Sequence, residues 1–217
     1  MARLLVLDLD GTLVDSSRDI AASVNATLAR LRPGAAAIPL EDILGFVGEG
    51  ARLLVERSLA HAGLVRPVDE VLAVYLECYR ERLLDTTRLY PGVAEVLERL
   101  GHAGHALAVL TNKPGDMSRT ILEGLGVASR FARILGAGDV KARKPDPAGL
   151  LALLGELGIP ADAAWMIGDS ATDVHTARAC GVRAAGVAWG FHPAGLLAAS
   201  PDRILEDPRE LLALATA

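Results

Sequence analysis

Four short groups of polar residues follow apolar runs in this chain, and together they have the makings of a reactive site. Asp8-Leu9-Asp10-Gly11-Thr12 follows the apolar residues 4–7, and Thr111-Asn112-Lys113-Pro114 follows residues 106–110. Lys144 stands before Pro145, and Gly168-Asp169-Ser170-Ala171-Thr172-Asp173 follows residues 164–167. Two carboxylates at i and i+2 on a strand point to one side. Asp169 and Asp173, four apart at a strand-to-helix corner, are close enough to serve one cation. Carboxylates without histidine or cysteine suit a hard, oxygen-seeking ion such as Mg²⁺. A cation beside a lysine and hydroxyls suits a phosphoryl group. Thr111 and Asn112 read as an anion cradle at a helix start, with Pro114 in the first turn. The proline after Lys144 biases that residue away from helical geometry, so that it reaches inward from a loop. One carboxylate can act as a nucleophile, and a second, kept protonated by crowded neighbours, can protonate a leaving oxygen. Each residue alone has a plainer reading as a turn former, helix cap or solvated charge. The weight comes from their recurrence at successive strand ends.

The elements that must carry these residues are legible as short apolar runs at 4–7, 106–110, 164–167 and 184–187. Helical patterns alternate with them at 93–100, 117–125, 147–157 and 172–180. Such alternation predicts βαβ units and an α/β fold with a doubly wound parallel sheet. Ligands then bind outside the carboxyl ends of the strands. Residues 15–85 break the rhythm, with helical patterns at 16–31, 40–47, 50–62 and 68–84 and no good strand. The expected organisation is a core of residues 1–14 and 86–217 with a helical insert of residues 15–85.

Composition narrows the classes. Of 217 residues, 51% are hydrophobic and 23% charged, which excludes disorder as the main state. The net charge of −5 argues against nucleic acid or an anionic membrane as partner. No apolar stretch approaches the length of a membrane span, and the apolar start reaches Asp8 too soon for a secretory leader. The two cysteines, Cys78 and Cys180, lack metal-ligand spacing. A cytoplasmic protein acting on a small molecule, as monomer or homodimer, is the expectation. Every basic residue except Lys113, Lys141 and Lys144 is arginine. Genome bias accounts for the scarcity of lysine but not for where the three lie.

In order and spacing, Asp8-Leu9-Asp10-Gly11-Thr12, Thr111-Asn112, Lys144-Pro145 and Gly168-Asp169-Ser170…Asp173 resemble the four motifs of the haloacid dehalogenase-like superfamily. The insert resembles that superfamily's small α-helical cap on a Rossmann-like core. The resemblance implies that Asp8 is the nucleophile and a Mg²⁺ ligand. It implies that Asp10 is the general acid, then the base, with its main-chain carbonyl also on the metal. Thr111 and the Asn112 amide would bind phosphate, Lys144 would neutralise nucleophile and phosphate, and Asp169 would ligate Mg²⁺ with support from Asp173. Departures from branches of the superfamily are informative. Asp10 is present where dehalogenases lack a second acid. The cap has no lysine for a Schiff base, and Ile20 stands where a mutase histidine would be.

More narrowly, residues 46–52, 110–114 and 144–147 resemble bacterial phosphoglycolate phosphatases, which implies 2-phosphoglycolate as substrate. The cap would then choose the leaving group. Gly48, Glu49 and Gly50 form the expected substrate loop, with Arg52, ahead of Arg57, as partner for a substrate carboxylate. Gly190-Phe191 resembles a loop bordering the site. The five histidines carry no pattern. Pyrophosphate, a nucleoside monophosphate or a sugar phosphate remain alternative substrates, and a non-catalytic phospho-ligand sensor is the alternative of another class.

Overall fold

The apolar run Leu4–Leu7 forms β1, with all four side chains sealed from solvent. The structure, a computed structural model, describes residues 3–216. Residues 1, 2 and 217, at the outer ends of the expected core, lie outside the described residues. After β1 come β2 (Val14–Asp15), α1 (Ser17–Leu31), α2 (Leu40–Leu44), α3 (Ala51–His61), α4 (Val68–Arg80) and β3 (Arg88–Leu89). The chain continues through α5 (Val93–His102), β4 (Ala106–Pro114), α6 (Gly115–Gly124), β5 (Arg133–Ala137), α7 (Ala148–Leu157) and β6 (Ala164–Gly168). It ends with α8 (Ala171–Ala179), β7 (Arg183–Val187), α9 (Pro193–Ala198), β8 (Arg203–Leu205) and α10 (Leu211–Leu214).

Six strands form one sheet in the order β5-β4-β1-β6-β7-β8, and each neighbouring pair is parallel. Strand alternation sorts the core into two layers. Leu5 and Leu7 pack on one face with Leu107, Val109, Trp165 and Ile167, beneath α5 and α6. Leu4 and Val6 pack on the other with Ala108, Leu110 and Met166, beneath α7 and α8. A strand covered on both faces has no polar side, which is why β1 reads as a continuous apolar run. Burying each leucine stabilises the fold by roughly 2 kcal/mol.

The chain leaves β1 toward β4 and β5 on one side, then returns to β6, β7 and β8 on the other. The reversal puts a crevice at the carboxyl end of β1, where open α/β sheets take ligands. Above it stand α1 to α4, whose Val24, Leu28, Val55, Leu59, Val71 and Tyr75 continue the first core layer.

These helices rise from a neck in which β2 and β3 pair antiparallel, Val14 with Leu89 and Asp15 with Arg88. Two-residue strands are too short for alternation to show, so the sequence gives no sign of them. Asp19 locks this neck. Its buried carboxylate, near the start of α1, accepts hydrogen bonds from the backbone N–H and the hydroxyl of both Thr86 and Thr87. Burial works against ionisation, but the bonds from Thr86 and Thr87 outweigh it and hold the carboxyl below its ordinary value.

Several elements differ from expectation. The Thr111-Asn112 pair lies inside β4, which runs on to Pro114, and α6 begins only at Gly115. The pair therefore extends a strand end rather than opening a helix. β5 and β8 have no clear apolar signature because they flank the sheet and are partly exposed. α2 stops at Leu44, leaving residues 45–50 as a turn, and α4 stops at Arg80. No helix among the described residues is long and apolar enough to cross a membrane.

Asp19→Ala strands four donors at the neck and is expected to destabilise the protein by about 3 kcal/mol in urea titration. Because the folded pKa is depressed, the stability that Asp19 contributes is present above about pH 4. It is lost as the pH falls through the folded value, so the gap between wild type and Asp19→Ala should narrow in acid.

Candidate active site

Strand register brings the distant polar groups to one level. Leu7 pairs with Val109 on one side and Ile167 on the other, and the Asp8 N–H donates to the Ile167 carbonyl at 2.9 Å. Asp8, Thr111 and Asp169 thus emerge at the same edge of three adjacent strands. Gly11 turns the chain away with φ +76°, and a Cβ there would collide with the Asp169 carboxylate.

Lys144 is the hub of the first cluster. Its Nζ lies 3.0 Å from Asp8 Oδ1 and 2.6 Å from Asp173 Oδ1, with all three side chains buried. Burial works against the ammonium, but Asp173 and Asp8 outweigh it and raise the lysine's pKa. One cation does not balance the local carboxylates. Burial, opposed by Lys144 and reinforced by Asp173, pushes Asp8 up to about 6. Burial, with Asp173 and Asp8 nearby, raises Asp169 as well. Ligand oxygens of Asp8, Asp169 and Asp173 lie within 4.8 Å of one another.

The three acids are not equally available to a metal. Asp173 caps α8, accepting from the Ser170 hydroxyl and N–H through Oδ2 while Oδ1 holds Lys144. Asp8 Oδ1 accepts from the Leu9 N–H, and Asp169 Oδ2 accepts from the Phe191 N–H. No hydrogen bond is found to Asp8 Oδ2 or Asp169 Oδ1 among the described residues. Two unbonded oxygens on acids whose ionisation is held back by burial and mutual repulsion fit a hard divalent cation.

Asp10 does not share in this crowding. Its carboxylate is gripped by Lys113 Nζ at 2.7 and 2.8 Å and by the Ser16 hydroxyl at 2.5 Å. Its immediate neighbours are an ammonium and a hydroxyl rather than the other carboxylates. Lys113 also donates to the Tyr79 hydroxyl and stands 4.5 Å from that ring's centre. Tyr79 belongs to α4, so this contact ties Asp10 to the cap helices.

The Asn112 side chain is engaged with the protein itself. Its side-chain amide donates to the carbonyls of Gly48 and Lys144, both at 3.0 Å, and accepts from the Lys144 N–H at 2.9 Å. The side chain therefore sets the lysine loop and holds the turn before α3. Thr111 Oγ1 accepts from the Lys113 N–H and faces the cavity.

A cavity lies between these groups and helices α1 to α4. Its upper wall is largely apolar, from Ile20, Val47, Ala51, Leu54 and Leu76. Gly48 and Gly50 line it with φ +110° and +98°, backbone that side-chain-bearing residues rarely adopt. Glu49 and Arg52 do not line it. Glu49 pairs with Arg57, and Arg52 pairs with Asp69 on the outer surface of the cap helices. An arginine one step into a helix has no fixed direction in a sequence, and here the side chain turns to Asp69 of α4 rather than into the cavity.

A family profile described as "Haloacid dehalogenase-like hydrolase" matches residues 5–187. The chain belongs to this family. A phosphoglycolate phosphatase of Rhodospirillum rubrum is 41% identical over 198 residues, covering 88% of this chain and 81% of its own. One from Pseudomonas putida is 36% identical over 219 residues, covering 98% and 79%. Among solved structures, a "predicted phosphoglycolate phosphatase" from Haemophilus somnus superposes with a TM-score of 0.92 at 30% identity, covering 98% and 97%. The protein is thus a phosphoric monoester hydrolase acting on small phosphorylated compounds, in a family whose phosphatases use a divalent metal.

The site residues missed in the sequence are Lys113, Ser16, Tyr79 and His192. Lys113 is the clearest, since its place among only three lysines was a visible sign. Ser16, Tyr79 and His192 carried none.

Mg²⁺ or Mn²⁺ is expected to raise the thermal midpoint by roughly 5 °C at saturation, as a ligand of the native state does. Asp169→Asn should abolish the rise. Asp8 takes up a proton below about pH 6, so apparent metal affinity should fall in that range. Calorimetric titration at several pH values measures this.

Proposed function

We propose that the protein hydrolyses 2-phosphoglycolate to glycolate and phosphate with Mg²⁺ as cofactor, through an aspartyl-phosphate on Asp8. The observation that carries this reading is the division of labour between two acids lining one cavity. Asp8 has an oxygen without a hydrogen-bond partner beside the Lys144 ammonium, and Asp10 is held apart by Lys113 and Ser16.

In this reading Asp8 Oδ2 attacks phosphorus in line, and the bond to the leaving alkoxide breaks as Asp10 delivers a proton to that oxygen. Asp10 then takes a proton from water, which attacks phosphorus, releases phosphate and restores Asp8. Thr111, the Asn112 main-chain amide and Lys144 receive the phosphoryl oxygens. Asp8, Asp169 and the Asp10 carbonyl would hold Mg²⁺, whose charge would let a phosphate dianion approach carboxylates. Asp173 acts one step back, by fixing Lys144. Residues 15–85 serve as the cap over a core of residues 1–14 and 86–217, and the cap excludes water while setting the choice of leaving group. Gly48 and Gly50 let the cap backbone come close to a small substrate. The relatives named phosphoglycolate phosphatase support the choice of substrate.

Asp8→Asn, assayed as folded protein at saturating Mg²⁺, is expected to lower kcat by about 10⁴-fold or more. Near wild-type turnover in that variant would refute the nucleophile assignment. A panel of 2-phosphoglycolate, pyrophosphate, a nucleoside monophosphate and a sugar phosphate tests the substrate. The highest kcat/KM is expected for 2-phosphoglycolate, and a clear preference for another member of the panel replaces this reading.

A further inference from the structure

Two polar side chains lining the cavity make no well-formed hydrogen bond among the described residues. Every other polar side chain lining it is engaged: Asp8 and Asp169 through backbone N–H groups, Asp10 and Tyr79 by Lys113, Thr111 by a main-chain N–H, and Asn112 by two carbonyls. The exceptions are the Tyr75 hydroxyl, from the cap helices, and His192 Nε2, from the loop after β7.

Tyr75 is only 3% exposed, and no hydrogen bond to its hydroxyl is found among the described residues. It lies one turn before Tyr79 on α4, with ring centroids 5.7 Å apart and planes 14° from parallel. Its hydroxyl is thus carried in the direction of Tyr79's, toward Lys113 and Asp10. Burial, with Tyr79 close by, raises its pKa well above the ordinary value, so the hydroxyl remains a donor. His192 Nε2 is buried and makes no well-formed hydrogen bond, although the Val47 backbone lies close to the imidazole. It faces Gly48, where a Cβ would stand 3.4 Å away, so the glycine keeps the space before the imidazole open. The loop carrying it is anchored by the neighbouring Phe191 N–H on Asp169. A buried polar group without a partner costs about 1–3 kcal/mol. One such group, His192 Nε2, beside an unengaged Tyr75 hydroxyl in a largely apolar cavity calls for a ligand that supplies the missing acceptors.

We propose that Tyr75 and His192 form the leaving-group subsite, donating from the Tyr75 hydroxyl and His192 Nε2 to a carboxylate on a short alkyl leaving group. This rests on the reading of 2-phosphoglycolate as substrate, and it assigns the carboxylate to these residues in place of Arg52. Asp10, the proposed proton donor to the leaving oxygen, lines the same cavity. A substrate that lacked the carboxylate would leave both donors unpaired, which is how a polar site discriminates.

The test compares 2-phosphoglycolate with ethyl phosphate, which keeps two carbons and lacks the carboxylate. The wild type should prefer 2-phosphoglycolate in kcat/KM. Tyr75→Phe and His192→Ala should each lose about 10-fold or more on 2-phosphoglycolate and less than about 3-fold on ethyl phosphate. His192→Gln, which retains a donor near the Nε2 position, should recover part of the ratio. The ratio of the two substrates within one preparation does not depend on the folded fraction. Equal losses on both substrates, or no loss on either, overturn the subsite. A His192→Gln variant no better than His192→Ala overturns the donor role of His192. A wild type that discriminates, with variants that still do, refutes this inference alone. A wild type that treats the two substrates alike refutes the substrate reading and the subsite with it.

Discussion

Lys144 sits buried between Asp8 and Asp173, and the site depends on that arrangement. Removing charges from water is expensive, and a buried cation between two carboxylates is tolerated only when geometry and further hydrogen bonds repay the loss. The surrounding residues supply that support. The Ser170 hydroxyl and N–H hold Asp173, the Leu9 N–H holds Asp8, and the Asn112 side chain fixes the lysine's own backbone. Even so, burial first, and the neighbouring carboxylates after it, raise the pKa values of Asp8 and Asp169 despite the lysine. A site left short of positive charge is prepared for a divalent cation and then for a phosphoryl group held by the same lysine.

A second buried pair divides the acids by role. Lys113 grips Asp10 from below and Tyr79 from above. Asp8 and Asp10 are two residues apart, yet their surroundings share little. One faces carboxylates and a lysine of the core, and the other faces a lysine, a serine and a tyrosine. Adjacent acids in contrasting environments can do different work in one reaction. The same contact couples the chemistry to the cap helices, as does the Asn112 bond to the Gly48 carbonyl. Helices α1 to α4 and the reactive groups therefore share contacts.

Much of this was legible in the chain. The apolar runs marked the central strands because a strand covered on both faces has no polar side. Asp8, Asp10, Thr111, Lys144 and Asp169 stood out because each follows such a run or lies on the loop between two of them. Other features were hidden for physical reasons. β5 and β8 flank the sheet and carry weak patterns. Asp19 reads as an ordinary first-turn acid, since its four donors come from Thr86 and Thr87, on the far side of the cap helices. Arg52 reads as a plausible anion partner, but helix rotation turns it toward Asp69.

The sequence by itself determined the kinds of reactive groups, their order along the chain and the alternation that brings strand ends to one edge. These are local properties, set by residue type and by periodicity over a few positions. Only the tertiary structure decided which group meets which. Lys113 reaches Asp10 across 103 residues of chain, and Asn112 reaches Gly48 across 64, because β4 lies beside β1 and the cap helices fold back over both. Whether a lysine is a solvated charge or the partner of a buried acid depends on what the fold packs against it. Periodicity along the chain carries no record of that.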